Sequence, residues 1–586
     1  MQSAETVLGV LRERGRRGLP CTELYRQLFN RELYLIAYGR LYSNKGAMTP
    51  GVDGETVDGM SLGTIDRVID AVRHERYRWR PARRVYIPKR NGKTRPLGLP
   101  SWSDKLVGEV MRLLLEAYYE PQFSDHSHGF RPRRGCHTAL RTVATSWTGT
   151  TWFVEGDIAQ CFDRLDHRVM LDTLAEKIHD NRFLRLLQNM LEAGNLEDWR
   201  WNATLSGAPQ GGVASPILSN IYLHRLDEFV ENTLLPEYTR GSRRTQSPAY
   251  HQTYYAIQKA RARGDHDAAR ALRQQLRVMP SHDPYDPGYR RLRYIRYADD
   301  VLLGFAGPKA EAEEIKQRLA RFLRDDLALE LSQDKTMITH ARSSAARFLG
   351  YEITIRHDNR KLTAGGRTVN GGVGLRVPLS VVKAKCAPFL SRGKPAHRTP
   401  LLNASDHTIV ATFGAEYRGI VQYYLLAGDV WQLRRLRWVM ETSLLKTLAA
   451  KHRSTVSAMA RKYKTSVSTP HGPRKCFEVR VERSGRKPLV ARFGGLPLRR
   501  QKLAVIFDRQ PVQAVMGRKE LVTRLLTGHC EICKHSGAVE VHHVAALADL
   551  HRPGRQPPAW AQLMARMRRK TLVVCATCHH HIHTGR

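Results

Sequence analysis

Residues 295 to 305 read IRYADDVLLGF, and two adjacent aspartates, Asp299 and Asp300, interrupt an otherwise apolar run. Burying one carboxylate costs desolvation energy, and burying two side by side adds their mutual repulsion. The flanks are rich in branched and aromatic residues and predict two strands. The short Ala-Asp-Asp between them predicts a β-hairpin with Asp299 at its tip. A solvated turn would satisfy that much. A second segment upstream argues for more. TWFVEGDIAQCFDRLDH (151–167) is another apolar strand that ends on an acid, Asp157, and then turns. Two such strands side by side in a sheet bring three carboxylates within a few ångströms, which is tolerable when divalent cations sit among them. Mg²⁺ fits, being hard, oxygen-seeking and commonly shared with substrate phosphates. Two such ions about 4 Å apart activate an attacking oxygen and stabilise a leaving one, which is the chemistry of nucleotidyl transfer.

The charge balance points the same way. Lys and Arg total 95 against 55 Asp and Glu, a formal net charge of +40. Self-repulsion of that size is a real cost, and a polyanionic partner is the simplest relief. A membrane surface is the rival sink, but no apolar run approaches the roughly 18 residues of a spanning helix. The N-terminal MQSAETVLGVLRERGRRGLP has no apolar core and no small-residue cleavage site. The expectation is a cytoplasmic protein bound to nucleic acid and to no membrane. At 586 residues the chain exceeds one core, and about three to five domains are expected.

The wording around the acids carries a resemblance. YADD after a strand, preceded by DIAQCFD, resembles the catalytic core of a reverse transcriptase. YIPKRNGKTRPLGLPSWSDKLV (86–107), FSDHSHGFRPRRGCHTAL (123–140), GAPQGGVASPILSNIYLHRLD (207–227), LSQDKT (331–336) and FLGYE (348–352) resemble further blocks of that family in order. NKGAMTPGVDGETVDGM (44–60), GFRPRRG, PQGGVASPILSNIYL and RYADD together resemble the proteins encoded within group II introns. Those are reverse transcriptases that also help their own intron RNA splice and move into DNA.

The resemblance implies roles. Asp157, Asp299 and Asp300 form the catalytic set and bind two Mg²⁺, with the backbone carbonyl of Ile158 completing one shell. Phe162 stands where the family places a ring under the sugar, selecting deoxynucleotides by clash with a 2′-OH; core packing is the alternative. Lys89 and Arg95 grip the triphosphate, Gln210 lies beside a glycine pair that lets backbone approach a nucleotide, and Lys335 neutralises departing pyrophosphate. PKAEAEEIKQRLARFLRDDLALEL (308–331) predicts a helix packed on the palm, and the insertion at roughly 238–292 a helical element that either contacts RNA or is a solvated charged helix.

Downstream, residues 416–463 predict helices with an apolar stripe at Leu433, Leu436, Met440, Leu444 and Leu448. They read as the polymerase thumb and, by resemblance, as the maturase domain that binds intron RNA. Arg418, Tyr423, Lys446 and Lys451 are the candidate RNA contacts. Residues 476–525 are basic with little pattern, where the family has a DNA-binding segment.

The nine cysteines divide sharply. Five are scattered, while Cys530, Cys533, Cys575 and Cys578 form two Cys-x-x-Cys pairs within the last 57 residues. That spacing suits a structural Zn²⁺ holding a domain too small for its own core. A bare zinc ribbon is one outcome. His542-His543 in a strand-like run, then His579 and His583 one helical turn apart, favour another. His542, His579 and His583 can share a second divalent metal, leaving His543 free to activate water. This resembles the HNH nuclease fold, two strands and a helix around a metal, although the Asn of that name falls near Lys570-Thr571 and is absent.

The expected fold is therefore α+β and multidomain: a right-hand polymerase with fingers and an antiparallel palm, a helical thumb and maturase domain, and a small ββα-metal HNH domain. The expected boundaries are 1–80 (N-terminal extension), 81–365 (fingers and palm), 366–475 (thumb and maturase), 476–525 (DNA-binding segment) and 526–586 (nuclease). The expected partners are a group II intron RNA, target DNA and dNTPs, in a bacterial, nucleoid-associated setting. Two rivals are a splicing factor with a decayed polymerase, and a defence or retron-type reverse transcriptase, which would lack the maturase-like helices and HNH tail.

Overall fold

Trp102–Tyr119 is an eighteen-residue helix buried on nearly every face, and the first part of the chain is built on it. The helices Ala4–Arg16 and Arg31–Leu41 pack against it. Contact is close because Gly15 has no side chain: a Cβ there would lie 1.9 Å from the Tyr118 carbonyl oxygen. The computed structural model describes residues 2–44, 46–88, 92, 94–197, 200–202, 207, 212–332, 334–358, 361, 369–483, 486–507, 520–550 and 556–585.

The palm is a four-stranded antiparallel sheet in the spatial order Arg291–Tyr297, Asp300–Ala306, Trp152–Asp157, Met337–His340. Its strands carry the branched and aromatic residues that favour a pleated, half-buried surface. The helix Lys309–Asp325 presents Ile315, Leu319 and Leu323 to the core, and Phe322 stacks on Phe229 of the helix Ser215–Phe229 at 4.1 Å. The fingers hairpin Ala82–Pro88/Thr94–Leu99 precedes the palm. Within the insertion, Pro248–Ala262 and His266–Val278 form a helical pair.

After the palm, Asp406–Tyr423 and Arg434–Lys451 are the principal helices. Leu433, Leu436, Met440, Leu444 and Leu448 are all buried, as their helical spacing predicts. The expected boundary at 475/476 falls inside a strand. Arg474–Arg483 and Arg486–Gly494 form an antiparallel ladder that packs on the helix Asp406–Tyr423, where a Cβ on Gly414 would sit 2.1 Å from the Arg492 carbonyl oxygen. The basic segment therefore begins as part of the thumb. Its alternation of charged and apolar residues is the period-2 signal of a half-exposed strand.

At the C-terminus, Glu540–His543 and Thr571–Val574 pair antiparallel and the helix Ala576–Thr584 follows. A third strand comes from the other end of the chain: Met60 and Ser61 pair with Val541 and Glu540. Alternation in the strands then divides the burial. Leu572 and Val574 face a small local core with Ile582 and Cys530. Val541 and Val573 join the large core that begins at Ala4 and includes the N-terminal helices. The N-terminal helices and the C-terminal sheet thus share one apolar core.

Candidate active sites

The palm register places Asp157 opposite Asp300. Ala298, at φ +55°, turns the chain so that Asp299 sits between the two hairpin strands. The Asp299 carbonyl accepts a hydrogen bond from the Ile158 amide at 3.4 Å. Lys335 reaches in from the following loop, its Nζ 2.8 Å from Asp157 Oδ2. Burial, with the charge of Asp157, raises the Asp299 carboxyl above its ordinary range, against the pull of Lys335 and Arg95. Burial, then the charges of Asp299 and Asp157, pushes Asp300 up to about 6. Three oxygen-donor acids in one partly buried site are the donor set that hard cations satisfy. Their oxygens are not all within 4.8 Å of one another, unlike the two C-terminal clusters below.

The other polymerase candidates divide. Arg95 lies on the exposed edge of the fingers hairpin, near enough for its charge to act on Asp299. Phe162 is half-buried in the short helix Cys161–Arg164 and meets Phe130 edge-on at 6.1 Å. Lys89 and Gln210 lie outside the described residues. Arg296 carried no assigned role in the sequence, yet it anchors the hairpin. Fully buried, it donates to both oxygens of buried Asp227 at 2.8 and 2.6 Å, and to the carbonyl of Ala298, the turn residue, at 2.9 Å. Nothing local singled it out, because the strand RLRYIRY carries two further arginines, Arg291 and Arg293, that are only half-buried.

Among the thumb candidates, Arg418 is exposed. Lys446 donates to the Pro395 carbonyl at 2.8 Å, and Lys451 to Asp406 at 2.7 Å. Tyr423 donates its hydroxyl to the Leu349 carbonyl at 2.7 Å, tying the helix Asp406–Tyr423 to the turn that follows Phe348. These three side chains serve internal contacts, because a long cation or a phenol beside an unpaired carbonyl finds its partner within the protein first.

Two ligand-sized clusters occur among the described residues. One is Cys530, Cys533, Cys575 and Cys578. Cys533 Sγ and Cys575 Sγ are 3.8 Å apart, the edge of a tetrahedron with metal–sulfur bonds of about 2.3 Å. Burial works against ionising Cys530, but hydrogen bonds from the backbones of Cys575, Cys533 and Ile532 bring its thiol down to about 6. Burial, then the other three sulfurs, pushes Cys578 up to about 12. Four thiolates so close coexist only around a dication, so the set fits Zn²⁺.

The second cluster is His542, His579 and His583 with a residue that sequence reasoning missed, Asp58. His579 Nε2 is 3.2 Å from His542 Nδ1 and 3.1 Å from His583 Nε2. Asp58 Oδ1 lies 3.3 Å from both His542 Nδ1 and His579 Nε2, and its Oδ2 lies 2.9 Å from His583 Nε2. The far nitrogen of His579 meets Glu540 at 2.7 Å, the carboxylate–histidine pairing that orients a metal ligand. Burial alone would raise the Asp58 carboxyl. Hydrogen bonds from His542, His579 and the His543 backbone outweigh it and hold the group far below the usual range. His580 and His581 are exposed and stand outside the cluster. Asp58 sits in the quoted stretch GETVDGM, but nothing local to that stretch signals a ligand.

His543 is buried, and burial pushes its imidazole down to about 3, so it is neutral near pH 7. From sequence this ring is expected to be free to act on water, but its Nε2 lies 3.1 Å from the Tyr38 hydroxyl. In place of the missing Asn, Lys570 Nζ donates to the Ala545 carbonyl at 2.8 Å and the Lys570 carbonyl accepts from the Val544 amide at 3.0 Å. The loop after His543 is therefore tied down by other means. His543 also lines a cavity of about 610 Å³ shared with Arg524, Arg569 and Lys570.

Residues 87–353 match the family model for reverse transcriptase (RNA-dependent DNA polymerase), 380–482 that for type II intron maturase, and 530–579 that for AI2M/AI1M-like HNH endonuclease. The group II intron-encoded protein LtrA of Lactococcus lactis subsp. cremoris is 38% identical, the alignment covering 96% of this chain and 95% of that one. An uncharacterized 91 kDa protein in the cob intron of Schizosaccharomyces pombe is 31% identical over 95% of this chain and 69% of its own. Protein YkfC of Escherichia coli is 36% identical over 53% of this chain and 77% of its own.

Proposed function

Because the chain belongs to the group II intron-encoded proteins, we propose that its two acid- and histidine-lined sites act in sequence on one DNA target, the nuclease providing the end that the polymerase extends. The protein is a reverse transcriptase and maturase with an HNH endonuclease domain. The maturase region supports an RNA partner, and the reading here is that this RNA is its own intron, carried as a ribonucleoprotein to DNA. Arg418, exposed on the thumb helix, remains a candidate contact. No helix among the described residues is long and apolar enough to cross a membrane, and the reading places the protein in the bacterial cytoplasm at the nucleoid.

In the palm, Asp157, Asp299 and Asp300, with the Ile158 carbonyl, would hold two Mg²⁺, which when bound activate a primer 3′-OH and stabilise the leaving oxygen. The remaining work falls to the chain itself. Arg95 and Lys89 would hold the triphosphate of a dNTP and Gln210 would lie along it. Lys335, now on Asp157, would meet the departing pyrophosphate. Phe162 would bar a ribose 2′-OH by volume. In the nuclease, His542, His579 and His583 would hold one divalent metal with Glu540 orienting His579, and neutral His543, its Nε2–H donating to the Tyr38 hydroxyl, would accept the proton of the attacking water at Nδ1. Zn²⁺ on the four cysteines would be structural. The 3′-OH freed by the nick would prime cDNA synthesis; a nick made elsewhere or a replication fork are other sources.

The observation that carries the polymerase reading is the register of Asp157 against Asp300 with Lys335 alongside. Asp299→Ala should abolish Mg²⁺-dependent primer extension on an RNA template while RNA splicing survives. If wild-type protein never extends a primer, the decayed-polymerase reading replaces this one. The retron-type rival is disfavoured by the maturase and HNH matches.

A further inference from the structure

Asp58 stands 484 positions before His542 in the sequence, outside all three matched segments, yet it completes the histidine cluster. Its place is not an accident of a mobile side chain. The strand Met60–Ser61 pairs with Glu540–Val541, the Gly59 amide donates to the Val541 carbonyl at 3.0 Å, and the His543 amide donates to Asp58 Oδ1 at 2.7 Å. The carboxylate thus accepts the backbone hydrogen bond that continues the ladder, and the same oxygen faces the ring nitrogens of His542 and His579.

The spacing is that of a filled coordination shell. A tetrahedron with metal–nitrogen bonds of about 2.0 Å has edges of about 3.3 Å; here five donor separations run from 2.9 to 3.3 Å, with Oδ1 of Asp58 facing His542 and His579 and Oδ2 facing His583, and one atom from each of the four residues lies within 4.8 Å of the others. Three histidines and one carboxylate make four protein ligands, the count of a closed site, whereas a hydrolytic metal needs a position for water or substrate. The carboxylate is the one ligand not carried by the nuclease fold itself. A phosphodiester oxygen is an anionic oxygen donor of the same kind, so it competes for the same position. The same N-terminal region makes a second, independent contact with the nuclease chemistry through Tyr38, whose hydroxyl holds His543 Nε2.

We propose that Asp58 is the fourth ligand of the nuclease metal and holds the coordination position that the scissile phosphate must take, so that the N-terminal segment of the polymerase gates the nuclease. The proposal rests on the nuclease reading above but is tested apart from it. The chain would nick only once the segment 56–61 yields to DNA, which ties cleavage to a complex already docked on its target.

The test uses the full-length protein with zinc loaded at the cysteines and Co²⁺ titrated into the histidine site. Four-coordinate cobalt absorbs visible light far more strongly than six-coordinate cobalt in a carboxylate site, so the palm contributes little to the signal. Wild type should show a four-coordinate spectrum that inorganic phosphate leaves unchanged. In Asp58→Ala, cobalt affinity should fall by about tenfold or more, and phosphate should now shift the spectrum. At saturating Mn²⁺ or Mg²⁺, nicking of a DNA duplex by Asp58→Ala should exceed that of wild type, and nicking merely equal to wild type would overturn the gate. Asp58→Asn, which retains an acceptor for the His543 amide, guards against a folding defect, with zinc content as the check. Unchanged cobalt affinity and spectrum in both variants would overturn the proposal, as would nicking lost at saturating metal in a protein that still holds it. If neither protein nicks any DNA, the nuclease reading fails, while the phosphate response still decides the role of Asp58.

Discussion

Removing the Asp227 carboxylate tests how the catalytic hairpin is held. Arg296 and Asp227 are both fully buried. The guanidinium donates to Asp227 through Nε and Nη2, to Ser127 Oγ at 2.9 Å, to the Ala298 carbonyl at 2.9 Å and to Asn220 at 3.3 Å, while Tyr294 donates to Asp227 at 2.7 Å. Asp227→Ala leaves a cation without a counter-charge and a phenol without an acceptor, in a place water does not reach. Breaking a buried pair in this way costs about 3–5 kcal/mol. At about 1.4 kcal/mol per tenfold, that is a factor of roughly a hundred to several thousand in local opening. Local opening is the right quantity, since a chain of several domains has no single unfolding free energy. Amide hydrogen exchange of the peptides covering 291–306 should accelerate by that factor, and primer extension should fall with it. The companion variant Asp227→Leu/Arg296→Met removes both charges and should recover most of the protection. Its primer extension should stay low, because the Ala298 carbonyl has lost the donor that sets the turn carrying Asp299. Exchange changed by less than about tenfold in Asp227→Ala, or full activity in the double variant, would refute the argument.

Other expectations follow from single observations. His128 is buried with its Nε2 unpartnered; burial, then Arg134 and Arg131, lowers it from 6.5 to about 3. Between those values the unfolded chain binds the proton that the folded chain refuses, so this residue's contribution is present above pH 6.5 and lost as pH falls toward 3. His128→Asn should therefore flatten the acid limb of a thermal-melt series, and an unchanged limb would contradict the burial argument. Stripping zinc, or Cys578→Ser, should unfold the small core around Ile582 and also raise exchange in the strand Met60–Ser61, because the two share a sheet. Phe162→Ala should admit ribonucleotides in primer extension with little loss of dNTP use; unchanged discrimination would assign the ring to packing against Phe130. RNA affinity should fall steeply with salt, as counterion release requires for a chain of net charge +40.

What the sequence determined by itself is chemistry carried at short range. Asp299 and Asp300 in a turn between two strands, Cys-x-x-Cys pairs, and histidines at one helical turn all announce themselves, because backbone geometry links neighbours in sequence to neighbours in space. The pairing of Asp157 with Asp300 was also within reach, since both strands are apolar and both end on an acid. The helical spacing of Leu436, Met440 and Leu444 gave their burial for the same reason. Only the tertiary structure decided that Asp58 faces His583, that Tyr38 holds His543, that Asp227 neutralises Arg296, and that Lys446 and Lys451 are spent on internal carbonyl and carboxylate partners. Those contacts join segments far apart in the chain. Their distance depends on how whole cores dock, with Val541 and Val573 packed into the N-terminal helices, and no local period encodes it.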